Sequence, residues 1–241
     1  MRHKVAQKTT EVSFLQCFYI SLTWAVNNEM TLSKLPRFYP ILNIETLERR
    51  GADAVSAARQ MLDAGVSILQ FRAKGWFTNQ TFDELERISD LCRRAGATLV
   101  VNDRADIAKM IGAGLHLGQH DLRPREARAM VGRAALIGFS THNESQIRQA
   151  MEEPADYVAF GPIFGTGSKA NPDPVVGIEG LRRIRALLSK PLVAIGGITR
   201  SNAGSVMEAG ADAVAVIGDV CAAEDIGART KEWLDILKLS Y

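Results

Sequence analysis

Gln70, Arg72 and Lys74 recur at every second position where an apolar run gives way to polar sequence. Side chains alternate along a strand, so these three share one face. Two cations and an amide on one face suit a phosphate or a pyrophosphate. A strand running out into solvent would carry the same residues. Two further apolar runs end in acid: Asn102-Asp103-Arg104 and Gly118-Gln119-His120-Asp121. Two carboxylates plus substrate phosphate oxygens are what Mg2+ accepts, with water completing its octahedron. Each aspartate could instead cap the helix that follows, and Pro124 sits where a first-turn proline would. Another run ends Ser140-Thr141-His142, and a lone histidine without a visible partner says little. The longest loop, GPIFGTGSKANPDP over 161–174, offers Thr166, Ser168 and Lys169 as donors to anionic oxygens. Its glycines permit close backbone approach to a ligand. Gly196-Gly197 and Ile217-Gly218 follow the last two apolar runs, as plain turns or as backbone phosphate sites.

These residues need a scaffold that gathers strand ends. From residue 38 onward the chain alternates short apolar runs with amphipathic ones. The apolar runs are 38–43, 66–71, 97–102, 114–118, 135–140, 156–161, 191–196 and 212–218. In 79–95, Phe82, Leu85, Ile88, Leu91 and Cys92 repeat at spacings of three and four, which makes one helix face. Residues 179–188 and 202–209 read likewise. Continuous apolar strands joined by helices predict a parallel sheet buried on both faces. Eight strand–helix units predict an α/β fold, a single (β/α)8 TIM barrel over 36–241. No G-x-G-x-x-G follows the first strand, which weighs against an open doubly wound sheet. In such barrels chemistry gathers at the carboxyl ends of the strands and phosphate after the seventh and eighth. The mouth then carries two anion sites: one cationic with a metal, one made of backbone amides.

Composition bounds the rest. The 241 residues are 46% hydrophobic and 23% charged, which excludes disordered, collagenous and coiled-coil classes. Lys and Arg number 29 against 27 Asp and Glu, for a net charge of +2. That balance argues against a nucleic-acid or membrane-surface partner. Cys17, Cys92 and Cys221 are widely spaced, so no disulfide framework or zinc site is implied, and a reducing, cytoplasmic compartment is expected. A homo-oligomer stays open. Residues 1–35 stand apart as an N-terminal extension. Basic Arg2, His3, Lys4 and Lys8 precede an apolar stretch, Val12 to Val26, reminiscent of a signal peptide but without an A-x-A site. It reads as a disordered extension or as the product of an upstream start codon, with the true start at Met30.

The stretches LQFRAK, VNDRADIA, GLHLGQHDL, IGFSTHN, ADYVAFGPIFGTGSKANPDPVVGIEGL, PLVAIGGIT and EAGADAVAVIGDV span nearly all of 38–238. In order and spacing they resemble the thiamine phosphate synthase family. The resemblance implies a transferase. It would join 4-amino-2-methyl-5-hydroxymethylpyrimidine diphosphate to 4-methyl-5-(2-phosphooxyethyl)thiazole and release pyrophosphate. It also implies dissociative loss of the diphosphate, with no general base. Pyrimidine-diphosphate contacts fall on Gln70, Arg72, Lys74, Asn102, Ser140 and Lys169. Of these, Arg72, Lys74, Ser140 and Lys169 are implied to be catalytic. Mg2+ falls to Asp103 and Asp121. Thiazole-phosphate contacts fall on Thr166, Gly167, Ser168, Gly197, Ile217 and Gly218. Gly218 stands where the family usually has Ser, so one hydroxyl contact is lost. Two alternatives remain: a thiazole tautomerase, whose relatives typically lack the carboxylate pair and need no metal, or a non-catalytic barrel that binds a thiamine precursor.

Overall fold

The computed structural model describes residues 35–167 and 173–239. The N-terminal extension expected over 1–35 therefore lies almost wholly outside the described residues, as do Cys17, Ser168 and Lys169. Eight parallel strands close into a barrel in chain order, with the eighth hydrogen-bonded to the first. They are β1 (Phe38–Asn43), β2 (Ile68–Arg72), β3 (Thr98–Asn102), β4 (Gly114–Leu117), β5 (Ile137–Thr141), β6 (Tyr157–Phe160), β7 (Leu192–Ile195) and β8 (Ala213–Val216). Each lies within an apolar run read from the sequence, except that β2 and β5 each extend one residue further. β1, β4, β6 and β8 are buried at every position, so both faces are covered and the runs show no alternation.

Alternation survives in where the side chains go. Leu42, Leu69, Phe71, Val101, Leu115, Phe139, Val158 and Val214 pack in the layer between the sheet and the helices. Their neighbours Ile41, Gln70, Asn102, His116, Ser140 and Ala215 line the cavity inside the barrel. These strands thus send one set of side chains to the helices and the other to the barrel interior.

The helices covering the barrel are α1 (Ile44–Glu48), α2 (Ala54–Asp63), α3 (Asn79–Ala95), α4 (Ala105–Ile111), α5 (Pro124–Val131), α6 (Glu144–Glu152), α7 (Gly177–Leu187), α8 (Ala203–Glu208), α9 (Gly218–Cys221) and α10 (Ile226–Leu239). α3 shows why the chain obeys the pattern. Thr78 and Thr81 form a reciprocal capping box at its start, and Gly96 ends it in the left-handed region. Leu85, Ile88 and Cys92 are fully buried on its inner face, each large apolar side chain contributing about 1.5–3 kcal/mol. α10 finishes the ring: Trp233 stacks on Phe38 of β1 at 5.5 Å and donates its indole N–H to Asp219 at 2.7 Å.

Candidate active site

A cavity of about 360 Å³ opens at the carboxyl end of the strands. It brings together Gln70, Arg72, Asn102 and Ser140 on one side with Thr166, Gly167, Gly197, Ile217 and Gly218 on the other. Both predicted anion sites therefore border one chamber. Lys74, Asp103 and Asp121 are not part of its lining and form an adjoining cluster.

The alternative reading of the two aspartates as helix caps fails. α4 is preceded by Arg104 and α5 by Arg123, and neither helix has a side-chain cap. Asp103 instead sits at φ 64, the one non-glycine with positive φ among the described residues. Aspartate tolerates this region better than most residues, at a cost of about 1 kcal/mol or more. The turn brings its carboxylate against that of Asp121, close enough to share a proton, and against the Lys74 ammonium. Burial, then the Asp121 carboxyl, pushes Asp103 up to about 6, although Lys74 opposes this. Burial also raises Asp121. Its hydrogen bond with Asp103, the Gly118 N–H at 2.7 Å and the charge of Lys74 outweigh that and hold it below the ordinary range.

Two adjoining carboxylates, one pushed above and one held below the ordinary range, offer a place a cation would take. Among the described residues no cluster of three or more His, Cys, Asp or Glu side chains is suited to a metal. Two carboxylates with the remaining positions left to water and substrate oxygens fit Mg2+, which keeps several non-protein ligands. Asn102 adds a related signal: its buried Nδ2 has no hydrogen-bond partner among the described residues, and Asn102 lines the cavity. Such a donor awaits an acceptor.

The predicted common face of Gln70, Arg72 and Lys74 holds only to Arg72, where β2 ends. Lys74 lies in the following loop, and a residue the sequence reading missed holds it there. Glu45 accepts the backbone N–H groups of Lys74 and Gly75, and lies 3.8 Å from the Arg72 guanidinium. Asn43 Nδ2 in turn donates to Glu45 at 2.8 Å. Phe77 fixes the far end of the loop, edge-on to Phe71 and 5.1 Å beneath the Arg104 guanidinium. The only sequence signal for Glu45 was an acid two residues beyond the first strand.

Deeper in the barrel Gln70 Nε2 donates to Tyr39 Oη at 3.1 Å. Tyr39 and Tyr157 share a hydrogen bond of 2.8 Å. His116 meets Tyr157 through Nδ1 and Ser140 through Nε2, each at 2.9 Å. His116 belongs to this buried chain. His142 also gains partners the sequence did not reveal: Nδ1 lies 2.6 Å from the Gly161 carbonyl, and Nε2 lies 3.4 Å from Asp173.

The second anion site is a stack of loops. Ile163 and Phe164 donate to the carbonyls of Ile195 and Gly196 at 2.9 and 3.0 Å, so the loop after β6 extends the ladder past β7. Gly196 and Gly197 have φ of 99° and 62°. A Cβ on Gly197 would come within 2.4 Å of the Gly165 carbonyl oxygen. The glycine pair is therefore demanded by loop-on-loop packing, not by ligand approach alone. Asn202 braces the turn through the Gly197 carbonyl at 3.1 Å.

The family model described as thiamine monophosphate synthase matches residues 38–220. The thiamine-phosphate synthase of Koribacter versatilis is 45% identical over 210 residues, covering 85% of this chain and 97% of that protein. That of Chloroflexus aurantiacus is 42% identical over 184 residues, 76% of this chain and 85% of that one. Among solved structures, thiamine phosphate pyrophosphorylase from Pyrococcus furiosus superposes with a TM-score of 0.75 at 30% identity. The match covers 89% of this chain and 98% of that one. The 3-hexulose-6-phosphate synthase of Salmonella typhimurium, at 15% identity and TM-score 0.64, shares the barrel fold alone. With its closed eight-stranded barrel matched from the first strand to the helix after the eighth, the chain belongs to the thiamine monophosphate synthase family.

Proposed function

We propose that this chain joins 4-amino-2-methyl-5-hydroxymethylpyrimidine diphosphate to 4-methyl-5-(2-phosphooxyethyl)thiazole, giving thiamine phosphate and pyrophosphate. One observation carries the reading: a single cavity is bordered by a cationic strand end beside a carboxylate pair and, opposite, by the glycine-rich loops after β6, β7 and β8. Two phosphorylated substrates need two such poles. The carbon–oxygen bond to the diphosphate breaks with its electron pair going to the departing oxygen. The thiazole nitrogen then gives its lone pair to the electron-deficient methylene. That nitrogen is already nucleophilic, so no base is required.

Departure of the diphosphate sets the barrier, and this chain's cations lower it. Arg72 faces the cavity with a largely buried guanidinium, which strengthens its pull on the leaving oxygens. Lys74, paired with Asp103, adds charge at the same edge. Lys169, outside the described residues, is proposed as a third cation, and Ser140 as a hydroxyl donor. Asp103 and Asp121 would hold Mg2+, which when bound supplies further positive charge to the diphosphate oxygens. Asn102 and Gln70 orient the pyrimidine end. Thr166, Gly167, Ser168, Gly197, Ile217 and Gly218 receive the thiazole phosphate. Holding both partners in line contributes much of the remaining acceleration.

Among the described residues no helix is long and apolar enough to cross a membrane. Buried free thiols at Cys92 and Cys221 support work in a reducing cytoplasm. The test is an assay of pyrophosphate release with both purified substrates and Mg2+. Equimolar pyrophosphate and thiamine phosphate are expected, and neither should form when either substrate is omitted. Absence of both products from the complete mixture overturns the reading. Calorimetric titration with the pyrimidine diphosphate, with and without Mg2+, separates the alternatives: a tautomerase or a precursor-binding barrel would show little dependence on the metal.

A further inference from the structure

The buried chain Gln70–Tyr39–Tyr157–His116–Ser140 runs from one cavity-lining residue to another. Gln70, His116 and Ser140 line the cavity; Tyr39 and Tyr157 do not. We infer that Tyr39, Tyr157 and His116 are positioning residues. They set which way the Ser140 hydroxyl points, and thereby couple capture of one substrate at Gln70 to hydrogen bonding at Ser140. The inference rests on the reaction proposed above.

Donors and acceptors fix the argument. The Gln70 amide nitrogen can only donate, and it lies on the Tyr39 oxygen. The Tyr39 proton then goes to the Tyr157 oxygen, and the Tyr157 proton to His116 Nδ1. A neutral imidazole that accepts at Nδ1 carries its proton on Nε2, so Nε2 donates to Ser140 Oγ. The Ser140 hydrogen is left for the cavity, where an anionic oxygen can accept it. If the Gln70 amide turns over, every bond reverses. The Ser140 hydrogen then falls on His116 Nε2, and only a lone pair faces the cavity. A mixture of the two directions would leave a buried group without a partner, which costs more than either ordered state.

Gln70 is 2% exposed, and with its nitrogen on Tyr39 its carbonyl is left for the cavity. An occupant offering an N–H there holds the amide in the first direction. An aminopyrimidine offers one. The donor state of Ser140 is thus selected when that ring is bound, at the moment its diphosphate needs a partner. Two features support a relay preserved as such. Both phenols stay protonated: burial pushes Tyr39 up to about 12 and Tyr157 well above the usual tyrosine range. Gly138 of β5 leaves the crossing open, since a Cβ there would lie 2.3 Å from Tyr157 Oη and 2.5 Å from His116 Nδ1.

The test is a double-mutant cycle on pyrophosphate release. Tyr157→Phe and Tyr39→Phe keep the rings and delete one oxygen each. Each should lower kcat about tenfold, the size of one misdirected hydrogen bond, with KM for both substrates within about threefold of wild type. Ser140→Ala removes the end of the relay, so adding either phenylalanine to it should change kcat by less than about twofold. Multiplicative losses, a loss confined to KM, or unchanged kcat overturn the inference. If Tyr157→Phe does not fold, the cycle of Tyr39→Phe with Ser140→Ala decides alone. Imidazole 15N shifts of His116 read the relay without turnover. With the pyrimidine diphosphate bound they should report the Nε2–H tautomer, and Gln70→Glu, whose carboxylate can only accept from Tyr39, should move them toward Nδ1–H. An unmoved tautomer overturns the relay. A wild-type enzyme that releases no pyrophosphate overturns the proposed reaction instead, which the tautomer measurement keeps separate.

Discussion

Asp103 shows what a single residue contributes here. Its positive φ aims a carboxylate at Asp121 that a relaxed backbone would send elsewhere. Asn tolerates the same region, so Asp103→Asn should fold normally yet lose the Mg2+-dependent rise in melting temperature and at least about 100-fold in turnover. Thermal melts with and without Mg2+ check the first, and pyrophosphate release checks the second. Asp103→Ala adds about 1 kcal/mol of backbone strain to the same losses. The raised carboxyl also has a pH signature. Its folded value of about 6 lies above its ordinary 3.8, so the metal-free folded state holds the proton more tightly than the unfolded chain. Stability from this group is complete below 3.8 and is lost as pH rises through 6. Urea unfolding of metal-free protein at about pH 4 and about pH 7 should show that decline, and Asp103→Asn should flatten it. The sequence revealed the aspartate pair because both acids follow apolar runs. It did not exclude capping, because which residue caps a helix depends on where the first turn begins. Nor did it reveal φ at Asp103, which long-range packing sets.

Elements decide whether those residues arrive together. The strands and α3 were legible because apolar periodicity reports burial directly. α1 was not, being too short at 44–48 to show a period. With it went Glu45, whose contacts join the end of β1 to the loop after β2 and so leave no local trace. Glu45→Ala should free that loop, with Lys74 on it. KM for the pyrimidine diphosphate is expected to rise about tenfold while KM for the thiazole phosphate stays put, as initial-rate kinetics with each substrate varied would show. β5 makes the complementary demand. Gly138→Ala forces a methyl to 2.0 Å from Tyr157 Cζ, so the strand or the ring must shift. Overpacking of this kind costs about 1–3 kcal/mol, to be read as a lowered denaturant midpoint with m unchanged.

The whole molecule is a ring, and rings depend on their closure. Trp233 lies buried where α10, β1 and the start of α9 meet, stacked on Phe38 and bonded to Asp219. Trp233→Ala should cost about 3–5 kcal/mol, a fall of roughly 10 °C in melting temperature. Trp233→Phe keeps the stacking and should lose only about 1 kcal/mol for the missing N–H; calorimetry distinguishes the two. Eightfold alternation made this architecture readable from one sequence, whereas the tryptophan seal spans almost 200 positions and was silent. The loops that border the chamber divide unevenly along the chain. β2 to β5 and the loops after them carry the groups assigned to the diphosphate apart from Lys169, and the loops after β6, β7 and β8 carry those assigned to the other phosphate. Cut between α6 and β6, the polypeptide would yield two fragments, each owning most of one ligand's handles and neither able to make the new carbon–nitrogen bond. Catalysis would return only on reassembly, so the seam of the barrel doubles as the bench on which the product is made.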